Sequence, residues 1–413
     1  MINLELPQKL QMAQQMSHQL ANSVFRPIAR KYDKIEHCDT PEELIPVGQM
    51  LKSMGMSSAD DGSKAGGGDH IKNGANMMQV LATGEMSWGC IGLMLSIPGL
   101  GLGNAAIQAV GTSQQKEKFG KLHCAMAITE PGAGSDSANI QTTARLDGEE
   151  WVLNGEKIYV TCGERSDLVV VWATLDKAQG RAAIKSFVVE KGTPGLEVAR
   201  LDKKLGIRAS DTATILLNDC RIPRNNLLGS EEIDVKKSFA GAMKTFDNTR
   251  PAVAAMALGV AKAALDLTRE LLRKEGIKAE YQESLYESHT IEAEIYRMEA
   301  EWEAARLLTL KAAWMADNNI PNSMHASMCK AKAGKSANDI TLKCVELCGG
   351  LGYSEELMLE KWARDSKITD IFEGTQQIQR LIIDGRPVNE FFTSPPFEFT
   401  CGEDLARLQV QVG

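Results

Sequence analysis

The spacing of apolar residues changes twice along the chain, and each change marks a different kind of predicted element. Residues 1–124 carry apolar positions three or four apart, which predicts helices, except at 60–70, where consecutive glycines favour a surface loop. Residues 125–233 carry short apolar runs ended by Gly, Pro, Asp or Asn, which predicts strands. Helical spacing returns at 234–390, and a tail follows at 391–413. The pattern therefore predicts a multidomain α+β protein with its domains in the order α, β, α.

Within the middle segment, two dipeptides predict hairpin turns. Asp147-Gly148 and Asn154-Gly155 combine residues that tolerate the positive φ angles of tight turns. No long helical pattern separates the predicted strands, so we expect antiparallel connections and a compact β-barrel or sandwich. The strands are predicted at 151–153, 157–160, 168–173, 186–190 and 214–217.

The last segment predicts long helices. Apolar stripes with helical spacing run through 249–274 and 283–317. A third helix is predicted to begin with Asn322 or Ser323 as its N-cap and to stop at the glycine pair 349–350. Long antiparallel helices joined by short loops predict a bundle.

Composition and charge exclude several classes of function. The 413 residues carry a net charge of −8, which argues against binding to nucleic acid or to an anionic membrane. The nine cysteines include no Cys-x-x-Cys pair, and buried thiols in a reducing compartment are the better interpretation. The first residues do not resemble a secretory signal, and the apolar run 93–103 is too short to span a bilayer. A cytoplasmic protein is therefore expected, and the six histidines show no metal-ligand spacing.

The segment 129–136, Thr-Glu-Pro-Gly-Ala-Gly-Ser-Asp, is a candidate binding loop. Its proline and two glycines predict a rigid turn with exposed backbone N–H groups, and the hydroxyls of Thr129 and Ser135 flank that turn. Such a loop suits an anion or the edge of a heterocycle. On spacing alone, a plain structural turn is an equally acceptable interpretation.

Glu373 is a candidate base. It lies where one predicted helix ends and another begins, with Gly374 allowing a tight turn and Thr375 able to cap the next helix. A carboxylate in an apolar niche has a raised pKa and can remove a proton. Taken alone, a glutamate at a helix junction could equally be a solvated surface residue.

Four segments together resemble the acyl-CoA dehydrogenase family, in the order that this family has them. They are 129–136, 153–161 (Leu-Asn-Gly-Glu-Lys-Ile-Tyr-Val-Thr), 206–212 (Gly-Ile-Arg-Ala-Ser-Asp-Thr) and 371–380 (Ile-Phe-Glu-Gly-Thr-Gln-Gln-Ile-Gln-Arg). The resemblance covers roughly residues 90–385. It implies a helical domain, a β domain and a C-terminal four-helix bundle, in agreement with the periodicity.

The resemblance also implies a reaction of fatty-acid β-oxidation that uses FAD. The family removes a Cα proton from an acyl-CoA with a carboxylate while the Cβ hydrogen leaves as hydride to flavin N5. Glu373 occupies the position of that base. Some branched-chain members carry their base at the position of Thr249, which cannot do this job. An electron-transfer flavoprotein as acceptor and a homotetramer, or dimer of dimers, are further implications of the family.

The resemblance assigns binding roles to individual residues. The Thr161 hydroxyl would donate a hydrogen bond near flavin N5 and favour the reduced, anionic flavin. Positions that match substrate-contacting residues of the family are Ser135, Asp247, Arg250 and Gly374. Positions that match cofactor-contacting residues are Met126, Ile128, Thr129, Ser135, Tyr159, Val160, Thr161, Lys278, Glu346, Gly349, Gly350, Thr375 and Gln377.

Three positions depart from the family pattern. Lys278 replaces an arginine, and Glu346 replaces a glutamine, that reach the flavin pyrophosphate of a neighbouring subunit. A further family arginine falls on Gly385, with Arg386 beside it. Two alternatives therefore stay open. The chain could supply part of another subunit's flavin pocket, or the same fold could act as an enoyl-CoA reductase or an oxidase.

Overall fold

The structure is a computed structural model, and it describes residues 6–53, 74–99, 101–233, 240–281, 287 and 289–380. The predicted loop at 60–70, the departure at Gly385 and Arg386, and the tail from 391 lie outside the described residues.

The N-terminal segment is helical, as the apolar spacing predicts. The helix Ser113–Phe119 begins with a reciprocal cap: Thr112 Oγ1 accepts from the Gln115 backbone N–H at 3.3 Å, and Gln115 Oε1 accepts from the Thr112 N–H at 2.9 Å. The helices are α1 (Gln8–Leu20), α2 (Arg26–Lys34), α3 (Ile45–Ser53), α4 (Ala75–Leu95), α5 (Leu102–Val110) and α6 (Ser113–Phe119).

The strands of the middle segment are β1 (Cys124–Ala127), β2 (Thr143–Asp147), β3 (Glu150–Thr161), β4 (Leu168–Thr174), β5 (Ile184–Glu190), β6 (Leu196–Leu201) and β7 (Thr212–Pro223). They form one seven-stranded sheet in the order β1-β4-β2-β3-β7-β6, with β5 paired to β4. Most pairs are antiparallel, but β1 and β2 both run parallel to β4, with Cys124 opposite Leu168 and Thr143 opposite Thr174. The expectation of antiparallel connections alone was therefore wrong for these two pairs. Parallel neighbours need a long crossover, and here intervening strands supply it instead of a helix.

One of the two predicted hairpin turns is confirmed. Gly148 lies in the turn between β2 and β3, where Asp147 pairs with Glu150. The prediction at Asn154-Gly155 was wrong, because β3 continues through this dipeptide with a register shift against β7. A Cβ at Gly155 would lie 2.3 Å from Thr142 Oγ1, so the glycine permits close contact with the segment that precedes β2 and does not reverse the direction of the chain.

The C-terminal segment is dominated by three long helices: α7 (Ala240–Lys274), α8 (Thr290–Asp317) and α9 (Ser323–Leu347). Helix α8 begins later than the predicted residue 283, and 282–286 lie outside the described residues. Asn322 precedes α9, but its side chain donates to the Ala312 carbonyl at 3.1 Å instead of capping the helix. Two short helices follow, α10 (Gly349–Tyr353) and α11 (Leu359–Ser366).

Two contacts fix the relative direction of α7 and α9. Arg250 lies 3.3 Å from Ser327 near the start of both helices, and Cys348 lies 3.7 Å from Thr268 near their ends. The two helices therefore run parallel, while α8 runs antiparallel to them. Residues 249–274 are apolar and long enough to cross a membrane by length and composition, but 83% of that window is buried within the protein. This stretch is accordingly a core helix of the bundle.

The family-like segment 206–212 joins the β domain to the helices. The backbone N–H of Ile207 donates to Asp365 Oδ1 at 2.6 Å, and a Cβ at Gly206 would lie 2.5 Å from the Arg364 carbonyl oxygen. Arg364 in turn donates to Asp33 of α2 at 2.7 Å. Helix α11 therefore connects the β domain to the N-terminal helices.

Candidate active site

Glu373 occupies a turn between the 3₁₀ helix Lys367–Asp370 and the helical residues 376–380. Its φ angle is +56° and that of Gly374 is +94°. Residues with a Cβ rarely adopt this left-handed backbone conformation, so Glu373 requires support from its surroundings. Gln379 Nε2 supplies part of it by donating to the Glu373 carbonyl at 2.9 Å. Thr375 Oγ1 accepts a hydrogen bond from the Ile378 N–H at 3.5 Å, which is the capping interaction that the sequence predicts for Thr375.

The Glu373 side chain points to α7, where Thr249 Oγ1 donates to Oε2 at 2.7 Å. Burial raises the pKa of the Glu373 carboxyl above its ordinary value. The Thr249 hydrogen bond and the charges of Arg250 and Lys330 oppose this effect but do not cancel it. Glu373 is thus partly buried and not a fully solvated surface residue.

A cationic side chain lies beside the carboxylate. Arg250 is 4% exposed, and its Nη1 lies 3.3 Å from both Asp247 Oδ1 and Ser327 Oγ. Burial lowers the pKa of the guanidinium, while Asp247 and Glu373 raise it. The structure therefore brings Asp247, Arg250 and Gly374, three of the four predicted substrate residues, to the surroundings of Glu373. The fourth, Ser135, lies in the β domain.

The predicted flavin residues of the β domain also come together. The backbone N–H of Ile158 donates to the Thr129 carbonyl at 2.9 Å, which joins the loop after β1 to the end of β3. Tyr159 has a φ of +57° and is 63% exposed, while Val160 is buried. The residues that these two segments contribute are Met126, Ile128, Thr129, Ser135, Tyr159, Val160 and Thr161.

A buried ion pair beneath this loop was missed by sequence reasoning. Lys157 Nζ lies 2.7 Å from Glu130 Oε1 and donates to the Ile128 carbonyl at 3.0 Å. Glu130 also accepts from the backbone N–H groups of Gln141 and Thr142, at 2.5 and 2.9 Å. The available signal was a lysine at an inward position of β3, between exposed Glu156 and half-buried Ile158.

Lys330 of α9 was missed as well. Its ammonium group donates to the Gly374 carbonyl at 2.5 Å, and its side chain is fully buried. The signal was its position on a stripe formed by Ala326, Ala333 and Ala337, which are all buried. A lysine on an apolar stripe of this kind requires a buried polar partner.

Four other predicted cofactor residues lie far from Glu373 within this chain. Thr268, which contacts Cys348, follows Thr249 by 19 residues on the same helix, or about 28 Å at 1.5 Å per residue. Lys278 is exposed, and Glu346 pairs with Lys343 at 2.8 Å on the protein surface. Gly349 and Gly350 lie at this same end of the bundle. Their predicted contact with a neighbouring subunit stays a prediction. Gln377 is exposed, four residues beyond Glu373.

The loop after β1 and the end of β3 fit a flavin. The hydroxyls of Thr129, Ser135 and Thr161 make no hydrogen bond with any part of the chain that the structure describes, so they are available to a ligand. A Cβ placed at Gly132 or Gly134 meets no atom within 4 Å, which leaves open space beside the loop. Hydroxyl donors around open space are what the ring edge of a flavin requires.

Comparison with known proteins covers nearly the whole chain. The acyl-CoA dehydrogenase N-terminal, middle and C-terminal domain families match residues 7–126, 125–220 and 239–386. The chain is 35% identical over 403 residues to the mitochondrial short-chain specific acyl-CoA dehydrogenase of Rattus norvegicus, covering 94% of this chain and 92% of that protein. It is 32% identical to the acryloyl-CoA reductase (NADH) of Anaerotignum propionicum, covering 92% and 95%. The solved butyryl-CoA dehydrogenase of Megasphaera elsdenii has a TM-score of 0.80 and 31% identity, covering 94% and 100%.

Proposed function

Since this chain belongs to the acyl-CoA dehydrogenase family of FAD-dependent flavoproteins, we propose that it oxidises a short-chain acyl-CoA thioester with Glu373 as the base. The observation that carries the assignment is the partly buried Glu373 carboxylate, held by Thr249 beside the Arg250 guanidinium. The names of the rat and Megasphaera relatives support a short acyl chain.

The proton step follows from the surroundings of Glu373. The ionised carboxylate takes the Cα proton, and the electron pair of that C–H bond forms the Cα=Cβ double bond. When bound, FAD would accept the Cβ hydrogen as a hydride. The raised pKa of Glu373 makes it a stronger base than a solvated glutamate, and the Thr249 hydrogen bond fixes its orientation.

The β domain would hold the cofactor. The hydroxyls of Thr129, Ser135 and Thr161 would donate to the flavin, and Tyr159 and Val160 would lie against its ring. The buried Lys157–Glu130 pair supports this role because it fixes the loop that carries Thr129 and Ser135. Near Glu373, Asp247 and Arg250 would contact the CoA thioester, and Thr375 and Gln377 would lie beside it.

Partners and assembly are also part of the proposal. The family resemblance supports an electron-transfer flavoprotein as the acceptor of the two electrons that substrate oxidation would release. A homotetramer would bring Lys278, Glu346, Gly349 and Gly350 of one subunit to the flavin of another. Their distance from Glu373 within one chain supports this arrangement. A cytoplasmic location is supported by the eight unpaired cysteines of the described residues.

A second function is enoyl-CoA reduction, favoured by the acryloyl-CoA reductase relative. Visible absorbance of the FAD-loaded protein distinguishes the two under anaerobic conditions. Bleaching of the oxidised flavin by butyryl-CoA supports dehydrogenation. Failure of butyryl-CoA to bleach the flavin, together with reoxidation of a dithionite-reduced flavin by an enoyl-CoA, supports reduction.

The role of Glu373 is tested by Glu373→Gln in the same assay. We expect E373Q to retain its flavin spectrum and to lose bleaching by butyryl-CoA. Turnover equal to that of the unmodified protein would refute the role of Glu373 while leaving the family assignment intact.

A further inference from the structure

Lys330 differs from the other fully buried lysines of the structure. Lys157 and Lys361 are each paired with a carboxylate, of Glu130 and Asp365. Lys330 instead donates to a main-chain carbonyl, that of Gly374, and forms no ion pair within 4.0 Å among the residues that the structure describes. Burying an ammonium group without a direct counter-charge is energetically unfavourable. Burial accordingly lowers the pKa of Lys330 to about 8.

The carbonyl that accepts from Lys330 belongs to the turn that carries the proposed base. Glu373 and Gly374 both have a left-handed backbone conformation, and both of their carbonyl groups accept hydrogen bonds from side chains. Gln379 donates to the Glu373 carbonyl at 2.9 Å and, more weakly, to the Gly374 carbonyl at 3.3 Å. Lys330 donates to the Gly374 carbonyl at the shorter distance of 2.5 Å. A left-handed conformation is unfavourable for a residue with a Cβ, because the Cβ then lies too close to the following carbonyl oxygen. The two side chains therefore hold Glu373 in a conformation that it would not keep alone.

The charge of Lys330 also acts on the Glu373 carboxylate. A positive charge nearby favours the ionised form of a carboxyl, whereas burial favours the neutral form. From α7, Arg250 acts in the same direction as Lys330, and Asp247 partly neutralises Arg250. From the 3₁₀ helix before the turn, Asp370 attracts Lys330 and is itself paired with Lys367 at 3.1 Å. Two cations therefore act on the Glu373 carboxylate. Arg250 also forms hydrogen bonds with Asp247 and Ser327, and Lys330 is the second cation.

From these contacts we propose that Lys330 is a positioning residue for the base. Its buried ammonium group holds the Glu373–Gly374 turn through the Gly374 carbonyl and keeps the Glu373 carboxylate ionised at neutral pH. This inference rests on the proposed role of Glu373. It assigns to α9 a part in the reaction that the four family-like segments do not contain.

The test compares the dependence of kcat/KM on pH in Lys330→Gln, Lys330→Met and the unmodified holoenzyme, with butyryl-CoA as substrate. Both substitutions remove the charge, and glutamine keeps a hydrogen-bond donor. We expect the acid limb of the profile to move to higher pH by about one unit in both variants, since a nearby opposite charge lowers the pKa of a carboxyl by about 1–3 units and both substitutions remove that charge. K330M should also lower kcat more than K330Q does, because it leaves the Gly374 carbonyl with only the longer hydrogen bond, that from Gln379 Nε2 at 3.3 Å.

Lys335→Met is the matched control. Lys335 lies on the same helix but is exposed and paired with Asp339. This variant should leave the acid limb unmoved. An acid limb that also stays unmoved in K330Q and K330M, while E373Q is inactive, would overturn the role of Lys330 and leave that of Glu373 standing. Full activity of E373Q would instead refute the proposed base.

A second measurement does not depend on activity. Melting temperatures of the unmodified protein, K330Q, E373Q and the double variant form a double-mutant cycle at neutral pH. If the two charges interact, K330Q lowers the melting temperature more in the presence of Glu373 than in the E373Q background. Equal effects in both backgrounds would overturn the proposal.

Discussion

The hydroxyl of Thr249 donates a hydrogen bond of 2.7 Å to Oε2 of Glu373 and joins α7 to the turn that carries the proposed base. By the family resemblance, Thr249 stands at the position where some branched-chain members carry the base itself. In this chain the threonine supports the glutamate. A hydrogen bond to a charged group contributes about 1.5–3 kcal/mol net, so its loss should be visible in kinetics.

Thr249→Val should lower kcat by about tenfold or more, because the isosteric valine removes the donor that orients the carboxylate. The acid limb of the pH profile should also move up, since this hydrogen bond lowers the pKa of Glu373. Steady-state kinetics with butyryl-CoA measure both effects. Thr249→Ser keeps the hydroxyl and is the control. Equal losses of activity in both variants would contradict a role for the hydrogen bond.

Glu373→Gln should be more stable than the unmodified protein at neutral pH. The pKa of Glu373 is raised in the folded state, so folding binds a proton between the ordinary and the raised pKa, and stability falls as pH rises through that window. The neutral glutamine removes this loss. We expect the melting temperature of E373Q to be higher by about 1–3 °C at pH 7 and the difference to shrink on acidification toward the ordinary pKa.

Glu301→Gln should change the melting temperature in the opposite direction and serves as the control for replacing a carboxylate with an amide. The hydrogen bond from Lys332 lowers the pKa of Glu301, so this carboxylate stabilises the fold at neutral pH and loses that effect on acidification. E301Q should therefore not raise the melting temperature at pH 7. An E373Q protein that is less stable than E301Q at pH 7 would argue against a desolvated Glu373 carboxylate.

Lys157→Met should lower the free energy of unfolding by about 3–5 kcal/mol, since it leaves the buried Glu130 carboxylate without its partner. Flavin retention should fall as well, because the loop that carries Thr129 rests on this pair. Urea unfolding and flavin content after gel filtration measure the two effects. Arg221→Ala breaks only exposed pairs with Asp147 and Glu150 and should leave the free energy of unfolding nearly unchanged, because water screens exposed ion pairs. Equal effects of the two substitutions would refute the role of the buried pair.

Lys278→Arg and Glu346→Gln introduce the residues that the family resemblance implies at these positions. Arginine can bind a phosphate with two parallel hydrogen bonds, and glutamine removes a negative charge near the diphosphate. The double variant should bind FAD about tenfold more tightly in a titration of the apoprotein. An unchanged dissociation constant would indicate that these surface residues do not reach the flavin of another subunit. Lys274→Arg, on the exposed end of α7, is the control.

Much of the fold follows from short-range sequence patterns. Helical spacing of apolar residues predicts the N-terminal helices and the bundle, and short runs ended by turn residues predict the β domain. These patterns suffice because each element buries one face, whatever its partner is. Pairing between strands is a long-range property, which explains why the parallel β1–β4 and β2–β4 pairs were not expected. The Asn154-Gly155 dipeptide has the local preference of a turn, but pairing of β3 with β7 overrides it.

The sequence by itself determined the three-part architecture, the family and the position of the candidate base, because all of these depend on residue types at fixed spacing. Tertiary structure alone decided that Glu373 is partly buried, that Thr249 donates to it and that Lys330 holds its turn. It also separated Lys278 and Glu346 from Glu373 by the length of a helix. The physical reason is that a pKa, a buried charge and a left-handed turn depend on neighbours far away in sequence, which only the folded chain brings together.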